Sequence, residues 1–338
     1  MNKLQYIINA LGGLIAIAII LYFIDVGRIW EIISGSHLEL ILLAAIVYLS
    51  LNAVMAMRIK LLLAAAGKQL PLRSALEADL GGMLASDFTP ARSGYFLTAF
   101  LLSSKHGIKL EKTMLSIFGP QLLEFLLKAV CCSLLFVFLL NHFEIFKGQE
   151  LLVFAAIGAI ISGIVFFLFL LFHPTLLERF SFMKIGPGKK IFYLFHLMRE
   201  NSDVMRSRWV PVLCLTIIGW LLKGVEWLLL SRALGFSISD PLYDYVFFLF
   251  FQPFVTIIHF LPLPTLAGAG TGEAAGSAIL ALFGVPLDVG LSFGFLTRGL
   301  MLIVDLLGLP AVLAFLRKES FDGILKDIDT MEERLKGG

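Results

Sequence analysis

The chain has 338 residues, of which 59% are hydrophobic and 15% charged, with a formal net charge of +2 and a mean hydropathy of +0.91. A soluble domain carries about 25% charged residues, so the composition excludes a water-soluble globular protein and specifies an integral membrane one. The small net charge says little about nucleic acid, and no nucleic-acid partner is expected.

Apolar runs long enough to cross about 30 Å of hydrocarbon as helix recur along the chain: Leu4 to Ile24, Leu38 to Met57, Thr113 to Leu140, Leu151 to Phe172, Trp209 to Leu230, Tyr245 to Leu261 and Val289 to Leu316. The first is too long for the apolar core of a signal peptide and has no small-x-small cleavage pattern before Asp25, so it reads as a span. Run length and Leu/Phe/Ile content indicate helix, and no series of short alternating strands supports a barrel. The expected fold is an all-α polytopic membrane helix bundle of about 7–8 spans with short re-entrant or broken helices and two pseudo-symmetric halves.

After the second run come Arg58 and Lys60, then Ser86-Asp87-Phe88-Thr89-Pro90-Ala91-Arg92-Ser93-Gly94, which puts Pro, Gly and full charges into an apolar context. Such a break persists where it is buried in protein or lines a wet cavity. Thr89 is placed to cap a helix, Pro90 to start one, and Arg92 to add a two-pronged phosphate donor. Glu124 and Lys128 then stand at i, i+4 in the third run. Residues 173–208 form a connector with Gly186-Pro187-Gly188-Lys189-Lys190 and an amphipathic stretch, Ile191 to Met205, suited to a membrane surface or an ordinary basic loop. Lys223 and Glu226 follow at i, i+3.

A second break, Pro262-Leu263-Pro264-Thr265-Leu266-Ala267-Gly268-Ala269-Gly270-Thr271-Gly272-Glu273, reads either as a helix start with free N–H groups for an anion or as tight packing through small residues. Ala274 to Val285 is short for a span and reads as a crossing or a half-helix. Arg298 and Asp305 lie two turns apart in the last run. Residues 317–338 are a charged tail. The three cysteines, Cys131, Cys132 and Cys214, sit in apolar runs without metal or disulfide spacing and read as packing residues.

Basic residues are unevenly distributed. With a cytoplasmic N-terminus, Lys3, Arg58 to Arg73, Lys105 to Lys112 and Arg179 to Arg208 share one side, against Arg28, Lys147 and Arg232 on the other. The positive-inside rule makes the first side cytoplasmic. The count works if Ala75 to Ser104 enters and leaves on one side, as a hairpin hinged at Thr89-Pro90. Arg317 and Lys318 favour a cytoplasmic C-terminus, and with it a crossing at Ala274 to Val285.

A weak internal repeat spans the connector. Gly94 and Gly107 are thirteen residues apart, with Glu124 seventeen further on; Gly272 and Gly284 are twelve apart, with Arg298 fourteen further on. The expected organisation is a transmembrane domain over 1–316, with halves of about 1–172 and 209–316.

The chain resembles the transmembrane-region family of lysylphosphatidylglycerol synthases, flippase-like integral membrane proteins. The resemblance is carried by Arg58-Ile59-Lys60-Leu61-Leu62-Leu63 through Gly67, by Thr89-Pro90-Ala91-Arg92-Ser93-Gly94, by Glu124, and by Pro262-x-Pro264 with Gly268, Gly270, Gly272 and Glu273, then Gly284-Val285-Pro286 and Arg298. Phe125, Thr98 and Thr265 depart from the family pattern. The resemblance implies lipid translocation between leaflets or a closely related role in the cell membrane. Some relatives carry a fused aminoacyl-transferase domain. About two dozen residues follow Leu316, well below the roughly 100 of a domain.

Charges at bilayer depth cost about 2.5–3.5 kcal/mol each, so they pair inside the bundle and mark function. The expected cavity is built by Arg92, Glu124, Glu273 and Arg298, with Gly94, Gly268, Gly270 and Gly272 allowing close backbone approach and Arg58, Asp87, Lys128, Lys223, Glu226 and Asp305 as supporting charges. Its occupant would be an anionic lipid headgroup. A proton-linked cycle through Glu124, Glu273 or Asp305 is one energy source. No cofactor, metal or nucleotide motif is expected. The rival reading is a membrane-embedded transferase using Glu77, Asp79 and Asp87, or Asp327 and Asp329. A third is a non-catalytic subunit beside a lipid-biosynthesis enzyme; a homo-oligomer is also open.

Overall fold

The computed structural model describes residues 26–142, 202–260 and 270–318, with a few isolated positions between 148 and 162. The runs Leu4 to Ile24 and Leu151 to Phe172, most of the connector, Gly268 and the tail from residue 319 lie outside the described residues. Among the described residues every regular element is helical. These are α1 (Val26–Ser34), α2 (Leu38–Ala65), α3 (Leu72–Asp87), a 3-10 segment (Pro90–Phe96), α4 (Leu97–His106), α5 (Leu110–His142), α6 (Ser202–Ser207), α7 (Trp209–Ala233), α8 (Pro241–Phe260), α9 (Thr271–Leu282), α10 (Leu287–Asp305), a 3-10 turn (Leu306–Gly308) and α11 (Leu309–Lys318).

Among the described residues five stretches are long and apolar enough to cross a membrane: Leu38–Ala65, Leu110–Leu139, Trp209–Ala233, Pro241–His259 and Leu287–Arg317. In α2 the face with Ala44, Tyr48, Asn52, Ala56 and Ile59 is buried, at the three-to-four-residue spacing of one helix side, while Leu42, Leu43, Ile46 and Met57 are exposed. Large exposed apolar side chains opposite a packed face are what a lipid-facing helix requires, since hydrocarbon rather than water covers them.

The long helices α2 and α7 form a tightly packed antiparallel pair. The amide of His37 donates to the Ala233 carbonyl (3.0 Å) near one end. Toward the other, Arg58 donates to Thr216 Oγ1 (3.1 Å).

After each of these helices the chain does the same thing. In the first half α3 runs out to residue 87, turns, and returns through the 3-10 segment and α4. Glu77 meets Lys105 at the open end, and Gly94 packs on the backbone of Ala85 near the tip. In the second half α8 runs to residue 260 and α9 returns beside it. The rings of Phe247 and Phe283 touch at the open end (4.8 Å between centroids), and Gly272 packs on His259 near the tip. The segment Ala274 to Val285 thus runs back beside α8, with Phe283 reaching the second turn of that helix at Phe247. Both returning arms end on a left-handed glycine, Gly107 (φ 60°) and Gly284 (φ 82°), a conformation that costs glycine nothing and stops the helix.

The long helix following each hairpin packs on the hairpin of the other half. α5 lies along α8, with Phe136 edge-on to Phe254 (5.6 Å). α10 and its continuation lie along α3, with the backbones of Gly308 and Gly81 in direct contact. Trp227, Phe247, Phe248, Phe251 and Phe293 form an aromatic core at one end of the bundle, packed mostly edge-to-face. A second core at the other end holds Leu70, Ala75, Leu102, Ile108 and Phe315. Between these cores the 3-10 segment packs against α8.

Candidate functional site

Between the two hairpins lies a cavity of about 490 Å³, walled by α2, α3, the 3-10 segment, α5, α7, α8, α9 and α10. Arg58, Arg92, Glu124, Lys128, Lys223, Glu273 and Arg298 all line it, so the four residues expected to build one cavity are brought together.

In the first half, α2 supplies Arg58 and α5 supplies Glu124 and Lys128. Arg58 Nη1 donates to Glu124 Oε2 (3.1 Å), and Lys128 Nζ, one turn along the same helix face, donates to Glu124 Oε1 (2.8 Å). The Arg58 side chain is 3% exposed, and its Nε is buried without a hydrogen-bond partner. At the hairpin tip Arg92 Nη2 donates to Asp87 Oδ1 (2.7 Å). Arg92 adopts φ 54°, left-handed backbone that non-glycine residues seldom take and that collects at functional sites.

The tip itself departs from the sequence expectation. Pro90 starts a 3-10 segment rather than an α-helix, and the Thr89 hydroxyl makes no N-cap bond. It accepts the Gly94 amide instead (2.6 Å), tying the turn shut. Gly94 does not line the cavity; its lack of a side chain lets the 3-10 segment lie against the Ala85 carbonyl.

At the second tip the Gly270 amide, the first free donor of α9, is taken by Glu273 Oε2 (2.8 Å), so the break caps itself rather than offering that donor to an anion. Glu273 Oε1 accepts from Arg298 Nε of α10, and Arg298 Nη2 donates to His259 Nε2 (3.2 Å). Because a guanidinium has no acceptor, that ring nitrogen is the unprotonated one. Gly272 lines the cavity and Gly270 does not.

Lys223 and Glu226 pair as their spacing suggests (2.8 Å), with Lys223 also over the Tyr48 ring (4.6 Å). Asp305 is fully buried and takes the Tyr48 hydroxyl (3.1 Å). The i, i+7 spacing of Arg298 and Asp305 therefore produces no pair. Asp87, Glu226 and Asp305 stand behind the cavity wall rather than in it.

Three lining residues carried no sequence signal strong enough to single them out. His259 was one histidine at the end of an apolar run, Tyr48 one tyrosine in the middle of another, and Tyr95, which donates to Asp79 (2.8 Å), an aromatic beside the first break. Proximity of His259 to the Pro262 break was the only available hint.

An all-helical bundle with apolar outer faces, broken hairpins and charges gathered at its centre defines a multi-pass membrane protein. Residues 9–308 match the family model described as Lysylphosphatidylglycerol synthase TM region, and the chain belongs to that family, whose name relates it to lipid handling. No curated protein matches the chain.

Proposed function

We propose that the protein is a lipid translocase, of flippase or scramblase type, moving an anionic lipid between the leaflets of the cell membrane. The observation that carries this reading is the convergence of Arg92, Glu124, Glu273 and Arg298, from both halves, on one cavity between the two hairpins. Burying that many charges in hydrocarbon is costly on insertion scales, and locking four helices together would not need a cavity between them. The headgroup would occupy the cavity while its tails stay in lipid.

In this reading residues 1–316 form one transmembrane domain in two inverted halves, with N- and C-termini cytoplasmic. The first hairpin dips into the membrane from the cytoplasmic side and the second from the opposite side. Antiparallel packing of α2 on α7, and the exchange of long helices between hairpins, support the inverted arrangement.

The transferase reading draws less support. Glu77 pairs with Arg73 and Lys105, Asp79 with Tyr95 and Asp87 with Arg92, so the three carboxylates point to separate partners rather than to a shared site. Asp327 and Asp329 lie outside the described residues. Reconstitution into liposomes with headgroup- and tail-labelled lipids tests both readings: leaflet exchange with unchanged lipid supports the translocase, and a new lipid product supports the enzyme.

A further inference from the structure

We propose that the triad Arg58, Glu124 and Lys128 is the phosphate subsite of the cavity and selects singly anionic phosphodiester lipids over zwitterionic ones. This deepens the translocase reading and rests on it for the identity of the ligand as a lipid.

The argument is one of charge matching. Arg92 is paired with Asp87, Lys223 with Glu226 and Arg298 with Glu273, each cation against one carboxylate. In the triad two cations share the single carboxylate of Glu124. One positive charge is left over there, inside the bundle, where an uncompensated charge is expensive. Asp79 lines the same cavity and feels the charge of Arg58, but it is held by the Tyr95 hydroxyl and makes no ion pair among the described residues.

A second observation singles out the same place. Arg58 is 2% exposed and keeps a buried Nε–H without an acceptor, in a side chain that lines the cavity. Buried donors are nearly always satisfied, so an orphan at a cavity wall marks a missing acceptor. Arg92 also has a buried Nε without a partner, but Asp87 already balances its charge. A phosphodiester supplies what the triad lacks: one negative charge and two non-bridging acceptor oxygens that fit a guanidinium edge. An ammonium-bearing headgroup brings its own cation beside Lys128, where like charges repel.

Binding, rather than transport, is the direct test. Purified full-length protein in detergent is titrated with phosphatidylglycerol, phosphatidylethanolamine and inorganic phosphate, in wild type, Lys128→Met and Lys128→Arg. Lys128→Met leaves the Arg58–Glu124 pair intact and places an apolar side chain in a membrane helix; Lys128→Gln replaces it should Met lower the yield of monodisperse protein. The expected result is at least a tenfold preference of the wild type for phosphatidylglycerol over phosphatidylethanolamine, lost in Lys128→Met through weaker phosphatidylglycerol binding and kept in Lys128→Arg. No preference in the wild type, an undiminished preference in Lys128→Met, or inorganic phosphate binding as tightly as phosphatidylglycerol overturns the proposal. Failure of the translocase reading looks different: Lys128-dependent lipid binding with no leaflet exchange in liposomes.

Discussion

Gly272 approaches the His259 imidazole so closely that a methyl group at 272 would overlap the ring. The matching contact in the first hairpin is Gly94 against the backbone of Ala85 and Ser86. The two contacts differ in what can give way. Backbone cannot move aside, whereas an imidazole can rotate, at the cost of its bond with Arg298.

Gly94→Ala is therefore expected to destabilise the protein, by about 1–3 kcal/mol as overpacked sites do. Gly272→Ala is expected to fold nearly as well as wild type but to lose lipid exchange, because His259 leaves Arg298. Thermal denaturation in detergent and liposome exchange separate the two. Equal stability losses for both variants would show that His259 is as fixed as the Ala85 backbone.

Arg92 supports a comparison that isolates strain from charge. Arg92→Ala and Arg92→Gly both remove the pair with Asp87, but only glycine accepts φ 54° without cost. The glycine variant should be more stable than the alanine variant by about 1–2 kcal/mol, with exchange lost in both. If alanine is as stable as glycine, the left-handed turn is not held in the folded protein.

At the open end of the first hairpin, Glu77 bridges the two arms. The hydrogen bond from Lys105, followed by that from Arg73, holds its carboxyl below the usual range against an opposing effect of partial burial. A carboxylate depressed in the folded state adds stability above its unfolded value of about 4.3, and that contribution disappears as pH falls through the lower folded value. Exposure of the bridge and salt screening keep the effect below about 1 kcal/mol. Burial, then Lys105, pushes the neighbouring His106 below its ordinary value, which favours the folded state as pH rises toward 6.5. Wild type and Glu77→Gln share that background, so the stability difference between them should be positive at pH 7 and shrink as pH falls below the unfolded carboxylate value of about 4.3. A constant difference would mean that Glu77 acts by packing.

Much of this arrangement could be read in the sequence because charge and proline are conspicuous in hydrocarbon. Arg92, Glu124, Glu273 and Arg298 stood out on that ground alone and line one cavity. Their partners did not stand out, since partnership depends on helix rotation and on which hairpin faces which long helix. Asp305 is two turns from Arg298 yet bonds Tyr48, 257 residues away in sequence. The role of Gly94 is hidden in the sequence for a similar reason: a glycine beside a charged break suits ligand approach and backbone contact equally, and only the position of Ala85 decides between them. Ala274 to Val285 is visibly short, but its length does not reveal that Phe283 returns to Phe247.

The hairpin topology predicts paired accessibility. In a background with Cys131, Cys132 and Cys214 replaced, single cysteines at exposed positions 69 and 105 should react with a membrane-impermeant reagent from the cytoplasmic face. Cysteines at exposed positions 242 and 287, flanking the second hairpin, should both react from the opposite face. Labelling of 242 and 287 from different faces would refute the second hairpin, and the same result for 69 and 105 would refute the first.

Arg298 is the residue whose replacement discriminates most sharply between a binding group and a structural one. Its guanidinium bonds Glu273 through Nε and His259 through Nη2, so it joins the returning arm, the outgoing arm and α10 at the cavity wall. Lysine keeps the charge, and with it the neutralisation of buried Glu273, but has no planar fork to hold two acceptors in a fixed geometry. Arg298→Lys should fold with a melting temperature within a few degrees of wild type while lipid exchange falls at least tenfold, a loss of about 1.4 kcal/mol in transition-state stabilisation. Arg298→Met leaves Glu273 without its cation and should lower stability as well, by up to about 3–5 kcal/mol as broken buried pairs do. Full exchange by Arg298→Lys, with instability confined to Arg298→Met, would identify the arginine as a counter-ion for Glu273 and remove it from the headgroup site.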